Sequence, residues 1–162
     1  MSELLWFVAH TKPRCEKKLV RHCRREELEA TLPTYRASHK YPRKTVVFEK
    51  PLFPGYVFLR IPDEQRGKVY QSDCVANLLE VNDQKQFARQ LSEILCALDT
   101  GLEICLAPAI GEGMKVKIKS GPLEGMDGWV ERRYGMSTVL LRLDFISQAA
   151  AVKVEATDLE LI

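Results

Sequence analysis

The chain has 162 residues, enough for one ordinary domain or two small ones, and its 46% hydrophobic and 28% charged residues describe a soluble globular protein. No apolar run approaches the roughly 18–20 residues of a membrane span, and the acidic start MSELLWFVAH reads as the beginning of a strand in a cytoplasmic protein rather than a targeting segment. The net charge of +2 hides an asymmetry: Lys12 to Lys44 holds eleven Lys/Arg against four Glu, whereas residues 107–162 hold seven basic and eight acidic side chains, so a polyanionic partner is expected for the first third.

In chain order, LLWFVA (4–9) reads as a short buried strand. Thr11-Lys12-Pro13 then breaks it and opens a helix, with Thr11 as N-cap and Pro13 in the first turn, running to about Leu28. At 100° per residue, Cys15, Leu19, Val20 and Cys23 share one arc. Lys17, Lys18, Arg21, His22, Arg24 and Arg25 fill the other, so one face packs and the other is cationic. LPTYR (32–36) and TVVFE (45–49) read as strands joined by a basic, exposed link, ASHKYPRK. PLFPGYVFLRI leads into a strand from Tyr56 to Ile61, a short helix is expected around 64–71, and VANLLEV (75–81) is another strand. Phe87, Leu91, Ile94, Leu95 and Leu98 recur with helical spacing and predict an amphipathic helix over 85–98. The order β-α-β-β-α-β-α predicts an antiparallel sheet with helices on one face, of α+β type.

The pattern changes after Ala107. APAIGEG reads as a linker, and MKVKIK, GWVERR, TVLLRL, AAVKVE and LELI follow as short alternating segments punctuated by glycines, which predicts a small all-β barrel of about five strands. The expected organisation is residues 1–106, a linker over 107–112, and a second domain over 113–162. VLLRL and AVKVE favour strands, although Ala149–Ala151 and LELI leave some helical potential.

Within GMKVKIKSGPLEGMDGWVERR (113–133), Val116 and Ile118 point one way and Lys115, Lys117 and Lys119 the other. Gly121-Pro122 makes a turn, and Gly125 and Gly128 allow positive φ or close backbone approach. This stretch resembles a KOW motif over its whole length. An aromatic strand beginning WF, a basic helix, a basic hairpin, PLFPGYVF, a linker and one KOW together resemble the NusG family from end to end. The compact N-terminal half and the short spacing from PLFPGYVF to IPDEQRGKVY resemble its specialised, RfaH-like members, with housekeeping NusG as the alternative.

The resemblance implies an NGN-like N-terminal domain and an SH3-like KOW barrel. It implies a transcription elongation factor that grips the clamp helices of the largest RNA polymerase subunit and favours processive elongation and antitermination on a subset of operons. It also implies a KOW domain that recruits a small-subunit ribosomal protein or a termination factor. Strand alternation puts Tyr56 and Phe58 on one face and Val57 and Leu59 on the other. The aromatic pair is either buried core or an exposed partner patch. The family implies the patch, with Phe53, His10 and Leu95 as further members. It also implies that the basic helix lies near the displaced non-template DNA strand. Lys12, His22 and Arg25 match DNA-reading positions of RfaH-like members, and Arg14, Lys18 and Arg21 extend the same cationic surface. Glu26 and Asp73 stand where those members have an amide and an arginine, so DNA proximity is expected without the same recruitment element. The polar segment with which those members reach the second large polymerase subunit is absent from Gln65 to Lys68. In the KOW motif, Gly121, Leu123, Gly125 and Gly128 are the expected turn and partner positions, with Leu123 where an aromatic is common.

Rival classes fit less well. Three scattered histidines and no nucleophile–base or phosphate-cradling pattern argue against an enzyme. Five cysteines without a CxxC pair, and histidines at 10, 22 and 39 off ligand spacing, indicate reduced, half-buried thiols and neither a metal site nor a disulfide framework. No cofactor is expected, and the protein reads as a monomer. A ribosome-associated RNA-binding KOW protein is the remaining rival, and the −1 balance of the C-terminal part argues against it.

Overall fold

The computed structural model describes residues 3–100, 104–108, 114–130, 138–153 and 159–161. The chain divides into two compact units, Met1–Thr34 with Phe53–Lys85, and Tyr35–Leu52 with Gln86–Ile162. The elements before residue 100 are β1 (Leu4–Thr11), α1 (Glu16–Arg25), β2 (Glu29–Thr31), β3 (Thr34–Tyr41), β4 (Lys44–Pro51), β5 (Tyr56–Pro62), α2 (Arg66–Tyr70), β6 (Val75–Glu80) and α3 (Gln84–Asp99). A 3-10 turn over Asp63–Gln65 leads into α2.

The first unit is built on a four-stranded antiparallel sheet of order β2-β5-β1-β6. The β1–β5 register sets Leu5 opposite Ile61, Phe7 opposite Leu59 and Ala9 opposite Val57. These side chains share one face because alternate residues of a strand point the same way. Leu19, Val20 and Cys23 from α1 and Val69 from α2 join them in one buried cluster. Each large aliphatic side chain buried there contributes about 1.5–3 kcal/mol over leaving it in water. The side chain of Gln84 continues the ladder at the open end of β1: its amide oxygen accepts from Trp6 N at 2.6 Å, and its amide nitrogen donates to Trp6 O at 3.0 Å and Val81 O at 2.8 Å.

Two local expectations need correction. Thr11 is the last residue of β1, not a helix cap, and α1 begins at Glu16 after an N-cap position held by Cys15 without a side-chain cap. The delay has a backbone cause. Thr11 N donates to Gly55 O at 2.9 Å and Lys12 N to Cys74 O at 2.8 Å, which keeps this segment on the sheet. Arg14 then sits at φ +61, outside the right-handed helical region. The helix also ends earlier than expected: Glu27 adopts φ +58, Glu27 N donates to Arg24 O and Leu28 N to Cys23 O. This pattern is a Schellman stop with a glutamate where glycine is usual. The second correction concerns ASHKYPRK. The basic hairpin is present, but its strands run further than the expected 32–36 and 45–49: β3 and β4 extend through this link and turn at Pro42–Arg43.

The second unit contains that hairpin, most of α3 and the C-terminal strands. Among the described residues these are β7 (Ile104–Pro108), β8 (Met114–Ile118), β9 (Asp127–Val130), β10 (Thr138–Leu143), β11 (Gln148–Lys153) and β12 (Leu159–Leu161). They form one antiparallel sheet of order β12-β8-β9-β10-β11-β7. VLLRL and most of AAVKVE are therefore strands rather than helix. Pairing of β7 with β11 brings residues 104–106 into this sheet, ahead of the expected boundary at 106. The expected linker positions 109–112 lie outside the described residues. Val116, Ile118, Val139, Leu141, Leu143, Ala150 and Val152 are buried on one side of the sheet. Phe87 of α3 meets Phe145 edge-on at 6.3 Å, and Gln90, itself buried, donates to Asp144 Oδ2 at 2.8 Å and accepts from Asp144 N at 3.0 Å.

The glycines of the β8–β9 turn act as the sequence implies. Gly121 and Gly125 have φ of +90 and +92. Gly128 has no room for a side chain, because a Cβ there would lie 2.9 Å from Leu140 O and against Val139 Cγ1. Gly128→Ala is expected to cost about 1–3 kcal/mol through this overpacking, read as a lowered urea midpoint at unchanged m-value.

Candidate polymerase and nucleic-acid interface

The opposite face of the first sheet carries the other set of alternating residues. Val8 stands opposite Phe58, and His10 opposite Tyr56. A four-residue turn, Phe53-Pro54-Gly55-Tyr56, aims this end of β5. Tyr56 N donates to Phe53 O at 3.2 Å, and Gly55 at φ +87 supplies the conformation that a type II turn requires at its third position. Thr11 N closes on Gly55 O, so the turn is fastened to the end of β1. The result is a stacked His10–Tyr56 pair with ring centroids 5.3 Å apart and planes 23° apart. His10 is exposed and Tyr56 half-buried.

Phe53 and Phe58 form an edge-to-face pair at 6.1 Å. They are 1% and 0% exposed. The expectation of Phe53 and Phe58 as exposed contacts is therefore corrected. Paired edge-on with Phe53 and facing Val8 across the strands, Phe58 belongs to the packed support of this face, and solvent meets His10 and Tyr56 instead. Leu95 lies on α3 in the second unit and is half-buried. Leu79, 39% exposed and opposite Val8 on β6, is an apolar member of this face that sequence reasoning missed. Its signal was the alternation of VANLLE, in which Leu78 is buried and Leu79 is not.

The six basic candidates divide into two groups. Lys18, Arg21 and Arg25 are exposed on the outer arc of α1, opposite Leu19, Val20 and Cys23. Arg14 is exposed on the turn before the helix. Lys12 and His22 are already engaged. Lys12 Nζ pairs with Asp73 Oδ1 at 2.8 Å, and His22 Nε2 lies 2.7 Å from Lys68 O, to which it donates. Asp73 sits at φ +59 in the turn before β6, which holds its carboxylate beside the start of α1. The pair raises the Lys12 pKa and lowers that of Asp73, in both cases through their mutual hydrogen bond first and charge second. The contribution of Asp73 is present above the ordinary aspartate pKa and is lost as pH falls through its lowered value. That of Lys12 is present below the ordinary lysine pKa and is lost as pH rises through its raised value.

In the C-terminal sheet, Leu123 is 1% exposed, so the expectation of an exposed apolar contact at the turn tip is corrected. Gly125 N donates to Ile118 O and Ile118 N to Met126 O, both at 2.8 Å, which folds the turn over Leu123. Trp129, which the motif reading did not single out, is half-buried on β9. The Arg142 guanidinium lies 4.3 Å and Lys115 Nζ 5.7 Å from its ring centre. Among the described residues, no helix is long and apolar enough to cross a membrane.

The ion pair makes a direct prediction. In a carboxyl-detected NMR titration, Asp73 is expected to titrate below the ordinary aspartate range. In Lys12→Met it should return to that range.

A family model described as transcription termination factor NusG matches residues 4–94, more than half of the chain. No curated protein sequence matches it. The matched segment spans β1 to α3 up to Ile94 and includes both the His10–Tyr56 face and the cationic arc of α1. The chain belongs to the NusG family of transcription elongation and termination factors.

Proposed function

We propose that the protein binds the clamp helices of the largest RNA polymerase subunit through the sheet face that carries His10 and Tyr56, and promotes processive elongation and antitermination. The observation that carries this reading is the stacked His10–Tyr56 pair, which reaches solvent on the sheet face that also carries the exposed Leu79 and the buried Phe58. Rigid aromatic groups bring large contact area at low conformational cost, which suits them to anchor an interface.

The cationic arc of α1 is then the part nearest nucleic acid. Lys18, Arg21 and Arg25, with Arg14, offer charge to phosphates of the non-template strand, an attraction that falls with salt and carries little sequence information. The Lys12–Asp73 pair supports weak rather than element-specific DNA contact, because it neutralises one cation of the row and places a carboxylate next to it. Action on a subset of operons rests on the compact N-terminal half and the short β5–α2 connection, both features of the specialised members. The C-terminal sheet is read as the KOW domain, an SH3-like barrel that recruits a small-subunit ribosomal protein or a termination factor. Because Leu123 is buried, that recruitment would use exposed neighbours such as Pro122 and Glu124.

The test is affinity for core RNA polymerase, measured with the full-length protein and with His10→Ala/Tyr56→Ala. A weakening of tenfold or more, about 1.4 kcal/mol, is expected, with circular dichroism unchanged. Equal affinity of the two proteins would refute the proposed face. Arg21→Ala should leave core binding intact and weaken binding to an elongation complex with a single-stranded non-template segment, more at low salt than at high.

A further inference from the structure

We propose that Cys15 and Cys74 form an oxidisable thiol pair that closes into a disulfide between the start of α1 and the turn ahead of β6. Both are free cysteines, and together with Cys23 they belong to one packed cluster under the sheet. The backbone already holds their segments together. Lys12 N donates to Cys74 O at 2.8 Å, and Cys15 N donates to Lys12 O at 3.2 Å, so each cysteine is one hydrogen bond from the same residue. After burial, Cys74 is also a neighbour that raises the Cys15 pKa. The Cys74 thiol donates to Ser72 O at 3.4 Å, and Ser72 Oγ accepts from Cys74 N at 3.1 Å, which restrains the turn that presents it.

Exposure assigns the roles. Cys15 is half-buried and reachable by a small oxidant, whereas Cys74 is 2% exposed and serves as the resolving thiol. Cys23 is fully buried, and burial pushes its pKa up to about 11, so it stays protonated and unreactive near neutral pH. Burial, and after it the neighbouring Cys74, also raise the Cys15 pKa, so the pair responds to sustained rather than brief oxidation and reacts faster as pH rises.

With hydrogen peroxide as oxidant, the Cys15 thiolate attacks the O–O bond and becomes a sulfenic acid, and the departing hydroxide takes up the thiol proton as water. The Cys74 sulfur then attacks the sulfenic sulfur; the S–S bond forms, the S–O bond breaks and a second water leaves. Two thiols are oxidised and one peroxide is reduced to two waters. The new bond fastens the cationic helix to the sheet at the junction that also carries the Lys12–Asp73 pair.

The experiment treats the reduced full-length protein with hydrogen peroxide, alkylates the remaining thiols and maps peptides without reduction. A monomer carrying a Cys15–Cys74 linked peptide that reductant reverses, with Cys23 recovered as alkylated thiol, is the expected result. Yield at fixed time should increase with pH. Cys15→Ser should abolish the link without transferring it to Cys23. Recovery of Cys15 and Cys74 as separate alkylated peptides while the exposed Cys96 is oxidised would overturn the proposal. So would conversion of Cys15 to sulfinic acid with Cys74 still a thiol.

Discussion

The antiparallel register that sets Phe7 against Leu59 and Val8 against Phe58 fixes which side chains pack with α1 and α2 and which lie on the opposite face, where Val8 and Phe58 are buried and His10 and Tyr56 reach solvent. A slip by one residue would carry Leu5, Phe7 and Ala9 out of the cluster beneath α1 and α2 and bring Trp6, Val8 and His10 into it. Such a slip would put the polar imidazole of His10 under the sheet in place of the Ala9 methyl, without a hydrogen-bond partner provided for it. The Pro54–Gly55 turn then completes the arrangement: with Thr11 N on Gly55 O, Tyr56 has little choice but to lie beside His10. The presented pair is thus a consequence of the core register and one turn, not of a separate packing event.

Charge is arranged by the same frame. The helix that buries Leu19, Val20 and Cys23 must turn Lys18, Arg21 and Arg25 outward, since the two arcs belong to one periodicity. The cation at its threshold is treated differently. Lys12 leaves the sheet before the helix begins and meets Asp73, a residue in the left-handed region that only a tight turn would place there. The surface therefore offers a row of cations to a polyanion but lowers the field at one end.

Much of this was legible in the residues. Strands β1, β5 and β6 and helix α3 follow from alternation and helical spacing, and the packed arc of α1 from its period. The roles of Gly121, Gly125 and Gly128 follow from the turns and the close approach that their positions impose. What was not legible depends on tertiary hydrogen bonds. Thr11 followed by Pro13 has the composition of a helix start, but bonds to Gly55 and Cys74 hold that segment on the sheet and Arg14 turns the wrong way for a helix. Alternation places Phe58 on the face of Tyr56 but does not say how deep along that face solvent reaches, and only Tyr56 lies at the edge. Leu123 reads as a turn tip, yet the turn folds back over it through the bonds from Gly125 and Ile118. The Lys12–Asp73 pair, and the backbone bond from Lys12 N to Cys74 O that brings the start of α1 beside Cys74, join residues about sixty positions apart and have no local signature.

The central claim is that the His10–Tyr56 face meets the clamp of RNA polymerase. The most direct measurement is photocrosslinking from a benzoylphenylalanine placed at position 56 of the full-length protein, in complex with core polymerase, followed by mapping of the crosslinked subunit. A crosslink within the clamp helices of the largest subunit, lost when the same group is placed at position 21 on the outer arc of α1, is the predicted result. A complex that forms normally but crosslinks from position 56 to no polymerase subunit, or only outside the clamp, would contradict it.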